Sequence, residues 1–172
     1  MGKINRSLIL GLVILFYAFS LFAQKSGTPA KTDNLYSLAL FASVVEMEKA
    51  WGNIDDSDNG SRIRTDYHQM FVEKDPEITE SLPTHLGDYH FEYLDNRDQI
   101  DRYKKLRKEY SILRIRPLQS EGIRLKIQVS VSYFKYKKGK LIFEVSDWSD
   151  VDFRYDCEKQ KYVVSGVTLG GV

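Results

Sequence analysis

The chain has 172 residues, of which 42% are hydrophobic, 13% aromatic and 28% charged. This length fits one domain with a single core, and the apolar and aromatic fractions exclude a disordered chain. The 25 basic and 24 acidic residues nearly balance, so no strong net field attracts nucleic acid or an anionic membrane. One cysteine excludes an intrachain disulfide and a cysteine-based zinc cluster. No motif specifies a reaction.

The N-terminal segment 1–23 has the features of a signal peptide. Lys3 and Arg6 precede the uncharged stretch Leu8–Ala23, and Ala23 is a small residue at the expected cleavage point. The stretch is shorter than the roughly 20 apolar residues that cross a bilayer as a helix. The bulky Leu21 leaves an uncleaved membrane anchor as the alternative. We therefore expect export, with a periplasmic or extracellular mature chain, and membrane contact only if this segment is retained.

Residues 24–33 are predicted to form a polar, flexible tether before a single domain spanning 34–172. Thr32, Asp33 and Asn34 offer N-cap side chains for a helix that begins near Leu35 and ends around Trp51–Gly52. The spacing of its apolar residues predicts one buried stripe. The predicted stripe comprises Leu35, Leu38, Phe41, Ala42 and Val45.

Two short strands and a second helix are predicted next. Tyr67–Glu73 fits a strand, although a helix is possible, and Tyr89–Tyr93 alternates aromatic with polar residues. The face of the latter that carries His90 and Glu92 is expected to meet water. Asp95 or Asn96 caps the second helix. Its predicted buried stripe comprises Ile100, Tyr103, Leu106 and Tyr110.

The C-terminal third is predicted to form antiparallel strands. A short strand spans Ile112–Pro117, and a longer one begins at Ile123, with Ile127 on the buried face and Ser130 on the wet face. Lys137–Lys140 turns the chain into a strand interrupted at Asp147–Asp150, by either a bulge or a second hairpin turn. Tyr162–Leu169 forms the last strand.

These elements predict an α+β domain with two main helices on one face of a curved antiparallel sheet of four to six strands. In architecture alone, the order resembles the cone-shaped nuclear-transport-factor-like and cystatin-like domains. That resemblance implies a helix leaning into a bent sheet, and such folds serve both enzymes and binding proteins.

An acidic loop has the spacing of a degraded calcium site. Oxygen ligands would come from Asp55, Ser57, Asn59 and Asp66, with Gly60 at the turning position. Asp66 is a short closing ligand, and Asp, Asn, Ser and Gly are also ordinary turn residues. We expect a solvated turn, with neither a metal nor another cofactor.

The three histidines could serve an acid/base or zinc site. His68, His85 and His90 occur with Asp88 and Glu92 close by. The alternation of the Tyr89–Tyr93 strand instead predicts surface histidines. Paired carboxylates around Trp148 could cleave glycosides, but Arg154 among them indicates charge balance.

Aromatic residues are the remaining candidates for ligand binding. Tyr133 and Tyr136 alternate with lysines before the turn at Lys137–Lys140, and Trp148 lies among aspartates. Aromatic rings with lysines can bind single-stranded nucleic acid, but we expect no nucleic-acid partner for an exported protein. Cys157 has acidic neighbours that oppose thiolate formation, so a catalytic role is not expected; an intermolecular disulfide is an alternative.

Three functions are compatible with these features. The first is an exported, non-enzymatic binding or accessory domain whose partner is an unknown protein or small molecule. The second is an exported inhibitor that docks on a partner enzyme by a loop, with Asp55–Gly60 or Trp148 at its tip. The third is a small hydrolase or isomerase using His68, His90 or Asp88 inside the cone, and an enzyme is the less favoured reading.

Overall fold

The computed structural model describes residues 34–52, 66–106 and 109–171. Helix α1 spans Leu35–Trp51, as predicted. Asn34 is its N-cap, since its Oδ1 accepts hydrogen bonds from the N–H groups of Tyr36 at 2.9 Å and Ser37 at 3.4 Å. Neither described helix is long and apolar enough to cross a membrane.

The buried stripe of α1 differs from the predicted one. Leu40, Val44 and Met47 are fully buried, whereas the predicted Leu38 and Val45 are only half-buried. The first three turns of α1 carry no charged residue, so several stripes along the helix have similar hydrophobicity in the sequence. Two small polar residues, Ser37 and Ser43, accompany the buried stripe and let the helix approach the sheet closely.

Eight strands form one open, mixed, mostly antiparallel sheet. The bounds are β1 Gln69–Glu73, β2 His85–Leu86, β3 Tyr89–Leu94, β4 Tyr110–Ile115, β5 Gln119–Glu121, β6 Arg124–Lys137, β7 Lys140–Asp156 and β8 Lys161–Gly171. The order is β2-β3-β1-β4-β6-β7-β8, with β5 paired to β6. The predicted count of four to six strands is therefore too low.

The expectation of a wholly antiparallel sheet was wrong at β1. This strand lies between β3 and β4 and runs parallel to both. Helix α2, spanning Asn96–Leu106, connects β3 to β4 as the crossover that parallel strands require. Strand alternation looks alike in either direction, so the sequence pattern could not reveal this arrangement.

The strands β6, β7 and β8 form the predicted antiparallel meander. Lys138 and Gly139 make its first turn, with φ of 51° and 78°, the positive values that a tight hairpin requires. The interruption at Asp147–Asp150 lies within one long strand, not at a second hairpin turn. The register shift between Val131 and Ser132 leaves Ser146 of β7 unpaired in the ladder, which is a bulge.

The two helices lie on opposite faces of the sheet, not on one face as expected. In β1, Met70 and Val72 belong to the core under α1, and Phe71 belongs to a second cluster with residues of α2. We call these the α1 face and the α2 face. In β6, Ile127 lies on the α1 face and Phe134 on the α2 face. Each helix thus covers its own face.

Three further residues depart from their predicted places. Tyr110 is the first residue of β4 and not part of the helix stripe, although its hydroxyl donates to the carbonyl of Gln99 in α2. Ile123 precedes β6 and is 97% exposed. Ser130, expected on a wet face, is 4% exposed because the α2 face is covered at this point.

Candidate binding site on the α2 face

Five residues lie together on the part of the α2 face nearest β7, three of them at least partly exposed and two of them buried serines. In one row, Arg114 of β4 pairs with Ser130 of β6, which pairs with Trp148 of β7. In the next row, Ser132 of β6 pairs with Val145 of β7. Directly opposed residues of antiparallel strands share a face and lie about 4.5–5.5 Å apart at Cβ. We call this set the Trp148 surface.

The indole of Trp148 lies close against β8 at Gly170. Its cross-strand partner there is Gly170, and a Cβ atom built on Gly170 would overlap the indole ring. Glycine in a strand often marks such a close approach. The indole is half-buried, so one side packs on β8 while part of the ring stays accessible.

Two serine hydroxyls beneath this surface have no hydrogen-bond partner among the described residues. The Oγ atoms of Ser130 and Ser132 are buried and unpaired within the described part of the chain. Ser130 is 4% exposed and Ser132 is fully buried. A buried hydroxyl without a partner costs about 1–3 kcal/mol. Such groups are few in native structures, and each calls for an explanation.

Arg114 provides a fixed positive charge beside the serines. Its guanidinium forms an ion pair with Glu73 through two nitrogen–oxygen contacts, one of them at 3.2 Å. It also lies 4.7 Å from the ring centroid of Phe143, a cation–π contact. These contacts orient the guanidinium, and the Glu73 carboxylate offsets part of its charge.

The margin of the Trp148 surface is polar on one side and apolar on the other. Asp150 accepts a hydrogen bond from Gln128 Nε2 at 3.0 Å and pairs with Lys126 at 3.4 Å. The carboxylate of Asp150 raises the pKa of Lys126. Val145 is 44% exposed, which is unusual for a residue in the centre of a long strand. A flat ring, an exposed aliphatic group, a guanidinium and buried hydroxyls are groups that can bind a ligand.

The structure separates the three aromatic residues predicted to bind a ligand. Trp148 and Tyr136 both lie on the α2 face, and the ring centroid of Tyr136 is 6.4 Å from that of Tyr103 in α2. Tyr133 follows the opposite alternation and lies on the α1 side. Sequence reasoning missed Arg114, Ser130 and Ser132, because only the pairing of β4, β6 and β7 brings them beside Trp148.

A second polar cluster lies where α1 ends near β3. Glu48 of α1 accepts a hydrogen bond from the hydroxyl of Tyr89 at 2.6 Å and lies 3.2 Å from Nε2 of His68. The rings of His68 and Tyr89 stack, with centroids 5.4 Å apart. Burial and the bond to Glu48 raise the pKa of Tyr89. Both carboxylate oxygens are engaged, so this cluster ties α1 to the strands.

The other candidates for an acid/base or zinc site are brought together only in part. His85 and His90 are neighbours, with ring centroids 4.6 Å apart. Glu92 is not simply solvated as expected, since Arg102 of α2 forms an ion pair with it. Asp88 meets His68 through its backbone carbonyl, 3.4 Å from Nδ1. Among the described residues, no group of three or more His, Cys, Asp or Glu side chains could hold a metal ion.

The calcium candidates Asp55, Ser57 and Asn59 lie outside the described residues. Asp66, the fourth, accepts a hydrogen bond from the N–H of His68 at 3.0 Å. Asp156, the last residue of β7, accepts hydrogen bonds from the N–H groups of Lys159 and Glu158, which lower the pKa of its carboxyl and shape the turn before β8. Cys157 in that turn is exposed.

Comparisons with known proteins produced no match to a family model, to a curated protein or to a solved structure.

Proposed function

We propose that the protein is an exported, non-enzymatic binding domain whose ligand docks on the Trp148 surface. The observation that carries this proposal is a pair of buried hydroxyls, those of Ser130 and Ser132, which have no partner among the described residues and lie beneath a partly exposed tryptophan. A ligand that accepts hydrogen bonds there, after a small shift of the covering side chains, offsets the cost of leaving these groups unpaired.

The opposite face offers less room for a ligand. Leu40, Val44 and Met47 of α1 are fully buried there against the sheet. We propose a curved, cone-like sheet, as in the nuclear-transport-factor-like and cystatin-like resemblance, because bulges in β7 and β8 bend strands. The side chains of α1 fill its α1 face, which favours the α2 face as the binding side.

The chemistry of the Trp148 surface favours an amphipathic ligand. The indole of Trp148 and the exposed Val145 fit a flat apolar body, and the guanidinium of Arg114 fits an anionic or carbonyl oxygen. Such a group belongs equally to a small molecule or to a protein side chain. Docking by a loop tip at Trp148 is less favoured, because Trp148 lies within β7 rather than in a turn. The alternative tip, Asp55–Gly60, lies outside the described residues.

A dye-binding experiment tests the site. The probe is anilinonaphthalene sulfonate, which combines aromatic rings with one anionic group. In a Trp51→Phe background, Trp148 is the remaining tryptophan, since the chain contains two. We expect energy transfer from Trp148 to bound dye.

Two matched variants locate the dye. Val145→Ser on the α2 face should weaken dye binding, whereas Ile142→Ser should not, because Ile142 lies on the opposite side of the same strand and is similarly exposed, at 36% against 44%. Equal dye affinity in both variants, or no transfer from Trp148, would show that the site is elsewhere.

Export rests on a separate experiment. N-terminal sequencing of the released protein should begin at Gln24. If the protein is found in the membrane fraction with Met1 intact, the N-terminal segment is an uncleaved anchor and the proposal of a released domain is wrong.

The histidine cluster provides the alternative of an enzyme. A carboxylate that contacts both a histidine and a tyrosine, as Glu48 does with His68 and Tyr89, can orient a general base. However, the ring of His68 is largely exposed, and the Tyr89 hydroxyl is already donated to Glu48. We therefore favour a structural role for this cluster.

A further inference from the structure

Strand β8 is a long edge of the sheet. It has 11 residues and pairs, among the described strands, only with β7. Alternate backbone N–H and C=O groups of an edge strand point away from the sheet and can pair with another strand. The other end of the sheet is β2, which has only two residues and follows Pro83.

The edge lacks most of the usual protection against pairing. From Tyr162 to Gly171 it contains no charged residue and no proline. Natural edge strands are commonly blocked by lysine, by proline or by bulges. β8 has one bulge, at Ser165. Gly166 and Val164 pair with consecutive residues of β7, so Ser165 between them has no partner in the β7–β8 ladder. The stretch Gly166–Gly171 beyond it is regular.

We propose that β8 pairs with β8 of a second copy of this chain, antiparallel, about a two-fold axis through Thr168. In this register Val167 lies opposite Leu169 of the second copy, on the α1 face of both. Gly166 lies opposite Gly170, and the two Thr168 side chains face each other on the α2 face. Apolar pairs and threonine pairs are favourable cross-strand neighbours.

A second copy fits this edge better than other strands do. The register is self-complementary, so one contact satisfies both edges and the assembly closes as a dimer. A head-to-tail chain of copies would need β2 or β5 as the receiving edge, and strands of two or three residues are too short to match Gly166–Gly171. The formal net charge of +1 brings little repulsion between two copies.

Sedimentation of the purified full chain tests the dimer. We expect the wild-type chain to sediment at twice the monomer mass at micromolar concentration. Thr168→Lys should sediment as a monomer, because two lysines would then face each other across the axis. Within one copy this lysine lies opposite Asp150, so the fold tolerates it. Thr168→Val, which keeps the edge uncharged, should remain dimeric.

A cross-linking experiment tests the register. Residues on the axis have Cα atoms about 4.5–5.5 Å apart, within the range of a disulfide. Thr168→Cys, combined with Cys157→Ser, should therefore form a disulfide-linked dimer on mild oxidation. The wild-type chain, whose cysteine is Cys157, is the control. At about 3.4 Å per residue along β8, Cys157 lies more than about 20 Å from the two-fold axis, so it should not form a disulfide across the dimer.

A wild-type chain that sediments as a monomer would overturn the proposal, and β8 would then be free to pair with a strand of a different protein. So would a Thr168→Lys chain that stays dimeric, because the dimer would then use another surface. Dye binding at Val145 tests a different part of the molecule, so the two proposals fail separately.

Discussion

The contact between Trp148 and Gly170 makes a sharp prediction for one methyl group. In Gly170→Ala the new Cβ would overlap Cζ2 and Cε2 of the indole and lie 2.9 Å from Cη2, closer than real Cβ atoms come. Trp148 must therefore leave the backbone of β8. Forcing an extra methyl group into such a contact costs about 1–3 kcal/mol, and the stiffer unfolded chain returns about 0.4–1 kcal/mol. We expect a net loss of about 1–2 kcal/mol in the free energy of unfolding.

Gly166→Ala is the matched control. Gly166 lies on the same strand and the same face, and a Cβ built on it meets no atom within 4 Å. Only the effect on the unfolded chain remains, so this variant should gain about 0.4–1 kcal/mol.

Equilibrium urea unfolding measures both changes, and the emission of Trp148 in a Trp51→Phe background reports whether the indole moves. We expect a red-shifted emission for Gly170→Ala only. If the two variants have equal stability and unchanged emission, then Trp148 does not lie against β8 as described.

Other substitutions test the two faces and the second helix. Ile127→Ala should cost about 2–5 kcal/mol in a urea melt, because the side chain is fully buried. Ser130→Ala should leave the stability unchanged or raise it by up to about 1 kcal/mol, since the lost hydroxyl is buried without a partner; a large loss would contradict that burial. Hydrogen bonds from the N–H groups of Asp98 and Arg97 lower the pKa of the Asp95 carboxyl, so its stabilisation is present above about pH 4 and is lost as the pH falls. Asp95→Asn should therefore reduce the loss of stability between about pH 4 and pH 2, and acid melts of both proteins would show no difference if this cap were absent.

Much of the secondary structure could be read from the sequence. The first helix was placed at Leu35–Trp51 because N-cap side chains precede it and turn residues follow it. The β6–β7 turn followed from Lys137–Lys140, where glycine accepts a positive φ. These features depend on residues close together in the chain, so they can be predicted without knowledge of the fold.

The candidate site was only partly predictable. Trp148 was chosen as an aromatic residue among carboxylates, and it does lie on a partly exposed face. Its neighbours Arg114 and Ser130 lie in other strands, and no local pattern connects them to it. Ser130 was expected in water because the alternation of β6 reports which residues share a face, not whether that face is covered.

The sequence by itself determined an α+β chain: where α1 begins, the meander of β6 to β8 and the alternation within each strand. Only the tertiary structure decided that β1 inserts between β3 and β4, and that α1 and α2 cover opposite faces. Alternation has the same period in parallel and antiparallel strands, and an apolar helix such as α1 offers several stripes of similar hydrophobicity. The choice among them is made by contacts between residues far apart in the chain, which bury Leu40 and Met47 and leave Trp148 at the surface.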